Sequence, residues 1–466
     1  KAAVEFLMAT SLYHPDTVAR SLDHDGSGAE PGLKDPDGRW DLRPHHDRII
    51  TVTDETLATW HAVLETPEVR VRRTRMVYAV NRSVEAVLDK LSRSKRIGDL
   101  GLQFSSGWHE KNDRTKGYFV SSWGAPNSWD DVILQGPHLF VATPLYKTPN
   151  KTMLSNKDWS ATDFETLAPD AIPVTAYKPA GDRYAYDCAY TDWGDADNPK
   201  PARDYYRVAW RYMAANTGER TLISAILPPG AGHTDGIMSA GSAHSSASDI
   251  ALLSGFLASL VLDFTVRTAP KSTIRSGTIN RLALDLGRSL RSEFVLRALR
   301  LNAITQGYRG LWEEAFNPDF LVDSWTTRSH NFHRAELQAV GRTWTDQTPL
   351  RYAIDRRQAQ VELDAIAALR LGLSADELCT IYRTQFAVLY GYDRNVYFYD
   401  ANGRLVPNSV LTVWRKKGDA ITAEERTATN QAGNTYTYEL PFVTLDREAD
   451  MRQAYAEFER RLAERS

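Results

Sequence analysis

Cysteine is nearly missing from this chain: Cys188 and Cys379 are the only two in 466 residues. They are too few and too far apart for a disulfide framework or a cysteine-rich zinc site, so a reducing cytoplasm is the expected setting. Long apolar runs are missing as well. The longest, Ile250 to Leu262, is interrupted by Ser254, Gly255 and Ser259. It is shorter than the roughly 20 residues that span a bilayer, so it reads as a core helix and no membrane partner is expected. Nothing after Lys1 has the charged and apolar regions of a secretory leader, and with no initiator methionine the chain reads as a piece of a longer protein. A dominant charge sign is also absent. The formal net charge of -3 excludes a globally basic nucleic-acid coat but leaves a local basic face open.

Catalytic signatures are equally scarce. The sequence has no Gly-rich phosphate loop, no paired-histidine metal helix and no nucleophile elbow. "PHHD" at Pro44 to Asp47 offers metal-ligand types but reads as an exposed loop, and the carboxylates Asp130 and Asp131 in "SWDD" read as a solvated turn. No catalytic residue and no metal site is assigned.

What is present suits a folded chain: 42% hydrophobic and 25% charged residues can bury several cores. Residues 1–71 read as a linker and helical lead-in, in which a Gly/Asp/Pro-rich stretch precedes a helix capped by Asp54 with Leu57, Trp60 and Val63 on one face. From 72 to 300 short strands and helices alternate in a mixed α/β region, with Ser83 as a helix cap and Trp108, Trp123, Trp129 and Trp210 as core residues. Residues 301–466 read as mainly helical. "ELDAIAALRLGLSADELCTIYRTQF" gives two amphipathic helices around a turn at Leu371 to Ser374, "MRQAYAEFERRL" gives a last one, and "NVYFYDANGRLVP" gives a small hairpin.

Charge is unevenly distributed. Between Arg267 and Arg309 nine basic residues face only Asp285 and Glu293. Arg288 to Arg300 interleave with Leu and Val at helical spacing, and a solvated helix face is one reading of them. Arg267, Lys271, Ser272, Thr273, Arg275 and Thr278, with Gly277 between them, form an irregular segment of cations, small hydroxyls and glycine. Such groups hold a nucleic-acid backbone in register, and the apolar helix before them would be a rigid base for that loop.

The order "RVAWRYMAANTGERTLISAILPPG", a His/Gly/Ser-rich loop, then "LLSGFLASLVLDFTVRTAPKSTIRSGTINRLAL" resembles the target-recognition domain of bacterial DNA adenine-N6 methyltransferases. It is similar to those of type IIG restriction-modification enzymes and of the BREX-type and DISARM-type phage-defence methylases, and more distantly to type I specificity subunits. The matching features fall on Leu252 to Ser259, Val266, Arg267, Gly277, Thr278 and Asn280. Further likeness lies in Glu362 to Ala365, Leu371 to Leu378 and Asp446 to Leu462. The resemblance implies an α/β target-recognition domain, double-stranded DNA as partner, a methyltransferase catalytic domain upstream in the same chain, and other defence-system subunits as further partners. It implies S-adenosylmethionine for the parent protein only. The Asn-Pro-Pro-aromatic motif that holds a flipped base is absent here, and "ATPLY" at Ala142 and "GLQFSSG" at Gly101 are poor substitutes.

Under that resemblance Arg211 and Arg220 join the phosphate contacts, with internal salt bridging as the other reading. Base edges would be read by Lys111, Asn112 and Arg114 in "HEKNDRTKG" and by Lys147, Asn150 and Lys151 in "YKTPNKT". For the first of these the plainer reading is a polar hairpin. Two other functions stay open: a protein-interaction scaffold built on the helical part, and a carbohydrate-active enzyme suggested by 12 Trp, 21 Tyr and the carboxylates.

Overall fold

A computed structural model describes residues 3–465 apart from 10–13, 36, 156, 196–197 and 328–333. The first segment is tied in by pairing. Strand β1 (Glu5–Ala9) runs antiparallel to β2 (Ile49–Thr53), with Glu5 opposite Thr53, and β2 buries Ile50 and Val52 at the two-residue period of a strand. Helix α1 (Asp54–Leu64) is capped by Thr53, whose hydroxyl accepts the Thr56 N–H, and not by Asp54. Asp54 instead accepts the Val4 N–H and pairs with Arg72. Leu57, Trp60 and Val63 enter the core as expected. The Gly/Asp/Pro-rich stretch is ordered by Asp41, which binds Arg43, Arg48 and the Gly32 N–H, while Leu33 donates its N–H to the Thr384 carbonyl. Helix α2 (Ser83–Ser92) starts at Ser83, with Arg82 in the cap position and no side-chain cap bond.

Four strands form the main sheet: β3 (Gln103–Ser105), β4 (Arg207–Arg211), β5 (Ser224–Leu227) and β6 (Ile237–Gly241). Their order is β5-β4-β6-β3, and each neighbouring pair is antiparallel. Arg207 to Trp210 and all of β5 are buried, which explains why the apolar stretches of β4 and β5 show no alternation. Next come α3 (Ala247–Ala258) and α4 (Leu260–Thr268), bent by 57° at Ser259. The apolar run therefore makes two helices where one rod was expected. Ser259 ends the first and caps the second, its hydroxyl accepting the Leu262 N–H, while Asp364 takes the Leu260 N–H. Among the described residues no single helix is long and apolar enough to cross a membrane.

Helix α5 (Arg291–Asn302) runs through residue 300 and packs on α3 and on α6 (Ala353–Arg370); α7 (Ala375–Gln385), the shorter helices Ala387–Asn395 and Asn408–Lys417, and α8 (Arg447–Arg465) follow. A mixed α/β region thus precedes a mainly helical one. Helix α6 is covered almost all round, and it buries Asp355, Arg356, Arg357, Glu362 and Asp364 along with its apolar residues. At the expected hairpin, Gly403 makes the turn at φ 74° but only one bridge forms, between Tyr399 and Leu405. The ladder nearby lies instead between Thr427–Thr429 and Thr435–Thr437. One apolar cluster takes in Val52, Trp210, Phe256, Leu299, Ile366 and Phe458, so strands and helices share a core.

Candidate nucleic-acid interface

After α4 the chain doubles back along the continuation of β4. Thr273 bridges Met213, the Ala214 N–H reaches the Ser272 carbonyl at 3.0 Å, and the Ile274 N–H reaches the Tyr212 carbonyl at 2.8 Å. Asn216 Nδ2 donates to the Lys271 carbonyl at 2.9 Å, and Trp210 Nε1 to that of Ile274 at 2.9 Å. Ile274 is buried, while Lys271, Ser272 and Arg275 are exposed. The expected irregular loop is a rail pinned by its backbone, with Lys271 and Arg275 on either side of buried Ile274.

Positive charge accumulates there. Lys271, Thr278, Arg281 and Arg75 line one narrow cleft. Burial holds Lys271 below the usual lysine range, and the charges of Arg75, Arg281 and Arg275 press the same way, with Glu65 alone opposing. Glu65 is itself bound to Arg75 at 2.7 Å. Lys271, Arg275 and Arg281 have no ion pair among the described residues. Arg96 Nη1 donates to the Arg281 carbonyl at 3.2 Å, beside the short ladder of Lys95–Arg96 with Ala283–Leu284. Exposed Arg70 and Arg73 sit just before Arg75. Sequence reasoning missed Arg70, Arg73, Arg75, Lys95 and Arg96. The signal of the first three, the arginine-dense "VRVRRTR" at 69–75, is visible in the sequence, but its closeness to Lys271 is not.

Three expected phosphate ligands are corrected. Arg211 donates from Nε to the carbonyls of Gly136 and Leu139, each at 3.0 Å. Arg220 meets Asp263 at 2.7 Å and the Ala258 carbonyl at 2.6 Å. Arg267 donates to the carbonyls of Gln385 and Gly218 at 3.0 and 2.9 Å and lies 4.2 Å from the Phe386 ring centre. A guanidinium presents five donors in a rigid fork, and here each fork is turned toward the protein's own oxygens, which accept from two of its nitrogens. Arg297 and Arg300 are corrected likewise: instead of forming a solvated face, Arg297 is buried between Asp323 and Glu362, and Arg300 among the carbonyls of Glu336, Leu337, Gln347 and Thr348.

Of the expected base readers, Asn112 and Arg114 sit on a one-turn helix, Asn112–Thr115, with Lys111 at its N-cap, and not on a hairpin. Asp113 fixes the turn by accepting the His109 N–H at 2.8 Å and Lys116 Nζ at 3.0 Å. The Arg114 guanidinium leans on Ser121 and Tyr177, while Lys111 and Asn112 are exposed. Lys147 belongs to a separate ladder, Lys147–Pro149 with Trp159–Ala161, and Asn150 follows it in the turn. There the Asn150 amide is engaged by Asp158 at 2.8 Å and Ser160 at 2.7 Å, so it shapes the turn and leaves no free edge for a base. Lys147 is half-buried beside the Tyr146 ring, and Lys151 is exposed.

Sheet topology brings the rail and the 109–116 segment together. Strands β3 and β4 run parallel with β6 between them, so both segments leave the same end. The turn after Thr234 links them: the Tyr212 N–H reaches the Gly236 carbonyl at 3.0 Å and the Asp235 N–H that of Trp108 at 2.8 Å. At about 4.8 Å per strand, the ends of β3 and β4 lie about 10 Å apart, and the rail is bonded to the continuation of β4.

The segment 101–107 runs through edge strand β3 into buried Trp108, not into a helix N-terminus. Among the described residues no three His, Cys, Asp or Glu side chains gather as a metal site. Compared with known protein families and with curated proteins, the sequence matches none.

Proposed function

We propose that this chain recognises duplex DNA in the cytoplasm, as the specificity part of an S-adenosylmethionine-dependent adenine-N6 methyltransferase of restriction-modification or phage defence. The DNA reading rests on one observation, that the cationic rail and the exposed Lys111–Asn112 pair leave the same end of one sheet. The methyltransferase setting rests on the sequence resemblance alone, and the methyl-transfer chemistry is assigned to the parent's catalytic domain.

In this reading Lys271, Arg275 and Arg281, with Arg70 and Arg73, lie along the phosphates and set register, while Arg75 is held by Glu65. Their backbone is already fixed by hydrogen bonds, so little ordering entropy is lost on binding. Asn112, whose amide can pair with both the N6 and N7 edges of adenine, supplies choice, with Lys111 suited to guanine acceptors. Arg211, Arg220 and Arg267 act from inside, as supports of the rail and of the helix ends behind it.

Fluorescence anisotropy with labelled duplexes at several salt concentrations tests this. The double variant Lys271→Ala, Arg275→Ala is expected to weaken binding to every sequence and to reduce the log–log salt slope by about 2, at about 0.9 per lost phosphate contact. Asn112→Ala is expected to leave that slope intact while relaxing the preferred site by about 1–3 kcal/mol at one position. An unchanged affinity and slope for the double variant would sink the interface.

A further inference from the structure

A cavity of about 430 Å³ lies where the strand-rich part meets the helices. Its walls come from the 140–146 turn, the 161–165 loop, α6, the stretch around Tyr397 and Tyr399, and the C-terminal hairpin. Six arginines line it against three acids, Asp163, Glu165 and Glu219. Most of these guanidinium groups have partners: Arg404 binds Glu165 at 2.7 Å, Arg447 binds Asp393 at 2.6 Å, and Arg356 donates to the carbonyls of Leu350, Ala142 and Leu301.

Arg357 differs. It is 5% exposed, and its Nη1 meets Asp450 at 2.6 Å, but Nε and Nη2 have no partner. A buried donor left unpaired costs about 1–3 kcal/mol, and more when charged, so a native chain that keeps one needs a reason. On the same walls the hydroxyls of Tyr146, Tyr399 and Tyr438 also lack a hydrogen-bond partner among the described residues. Burial pushes the Tyr399 phenol up to about 12, so it stays an O–H donor. The acids are already engaged. Asp163 accepts from Tyr436, Asn430 and Asn434, Glu165 holds Arg404, and Glu219, raised by burial, accepts the Tyr397 hydroxyl at 2.7 Å. What is left open is donors, beside an apolar wall where Phe140 and Tyr146 stack at 4.7 Å with Leu389 and Leu405 nearby.

We propose that this cavity binds a small organic anion with a planar ring, its acidic head at the Tyr399 hydroxyl beside the Arg357–Asp450 pair and its ring against the Phe140–Tyr146 pair. The volume falls in the range of small-molecule sites, about 300–1,000 Å³. A nucleoside monophosphate and an aromatic carboxylate share the required chemistry. The inference is independent of the DNA interface, whose residues lie elsewhere.

Isothermal titration of the whole chain with adenosine 5′-monophosphate, 4-hydroxybenzoate, and the neutral adenosine and 4-hydroxybenzamide tests it. One of the two anions is expected to bind with Kd below about 1 mM and its neutral counterpart about tenfold more weakly or not at all; which anion binds tells phosphate ester from carboxylate. Tyr399→Phe is expected to weaken that anion by about tenfold, and Leu389→Trp, which fills the cavity, to abolish binding. Arg357→Met would also strand Asp450, so Tyr399→Phe, verified as folded by its melting curve, decides if other variants do not fold. The proposal is overturned if neither anion binds, if the neutral counterpart binds as tightly, or if folded Tyr399→Phe retains full affinity.

Discussion

Asp263 has no water to solvate it: its carboxylate accepts Arg220 Nε at 2.7 Å and the N–H groups of Thr221 and Leu222, with Arg267 Nε at 3.6 Å. Removing one partner of a buried pair leaves the others uncompensated, at about 3–5 kcal/mol. Asp263→Ala is therefore expected to lower the unfolding free energy in urea by about that amount, while Asp130→Ala, at an exposed carboxylate, changes it little. Histidines give the residue scale a pH signature. Burial holds His138 down to about 4 and, with the charge of Arg207 adding to it, His233 to about 3. Both stay neutral when folded, whereas the unfolded chain takes up protons near 6.5. Stability present above pH 6.5 is therefore lost as the pH falls through these folded values, by about 3 kcal/mol for His138 down to pH 4. Asp364 works the other way: burial pushes it up to about 6, so lowering the pH relieves part of the loss. Denaturation midpoints at several pH values for His138→Asn against the parent isolate one histidine, and the variant is expected to show the shallower pH dependence.

Among elements, α3 and α5 approach closely. A Cβ on Gly255 would come within 2.6 Å of the Phe294 ring, which is fully buried. Alanine is the better helix former by about 1 kcal/mol, yet overpacking a filled core costs about 1–3 kcal/mol. Gly255→Ala is accordingly expected to be neutral to destabilising, where an exposed helical glycine would gain; thermal melts of the variant check the sign. The link between α6 and α7 shows how far local chemistry reaches. Gly372, at φ 74°, ends α6 with the Leu373 N–H returning to the Ala368 carbonyl, and Ser374 and Glu377 cap α7 reciprocally. All of these groups are neighbours in sequence, which is why "LGLSADE" announced a turn and a helix start. The bend at Ser259 was not announced, because Asp364, which receives the Leu260 N–H, comes from a distant helix.

For the whole molecule, a core shared from Val52 to Phe458, with the Leu350 N–H bonded to the Arg300 carbonyl and Arg297 locked to Glu362, couples the strand-rich and helical parts. Urea unfolding followed by tryptophan fluorescence and by far-ultraviolet circular dichroism is expected to give coincident single transitions; a resolved intermediate would contradict that coupling. At this scale the candidate site was only half legible. Lys271, Ser272 and Arg275 were marked by their residue types and do lie exposed, but Arg211, Arg220 and Arg267 are of the same type and lie inside. An arginine looks alike in sequence whether its partner is water, a phosphate or the carbonyl of a remote turn. The cavity wall at Arg357 was hidden for the same reason, since α6 reads as amphipathic until its neighbours cover it. By itself the sequence determined the class of architecture, the turn and capping box between α6 and α7, and where cations are dense, because these follow from interactions within a few residues. Only the tertiary structure decided which cations face outward, that 69–75 joins 271–281, and that one apolar run breaks into two helices. Those outcomes depend on contacts between segments far apart in the chain, whose energies exceed local preference but leave no local trace.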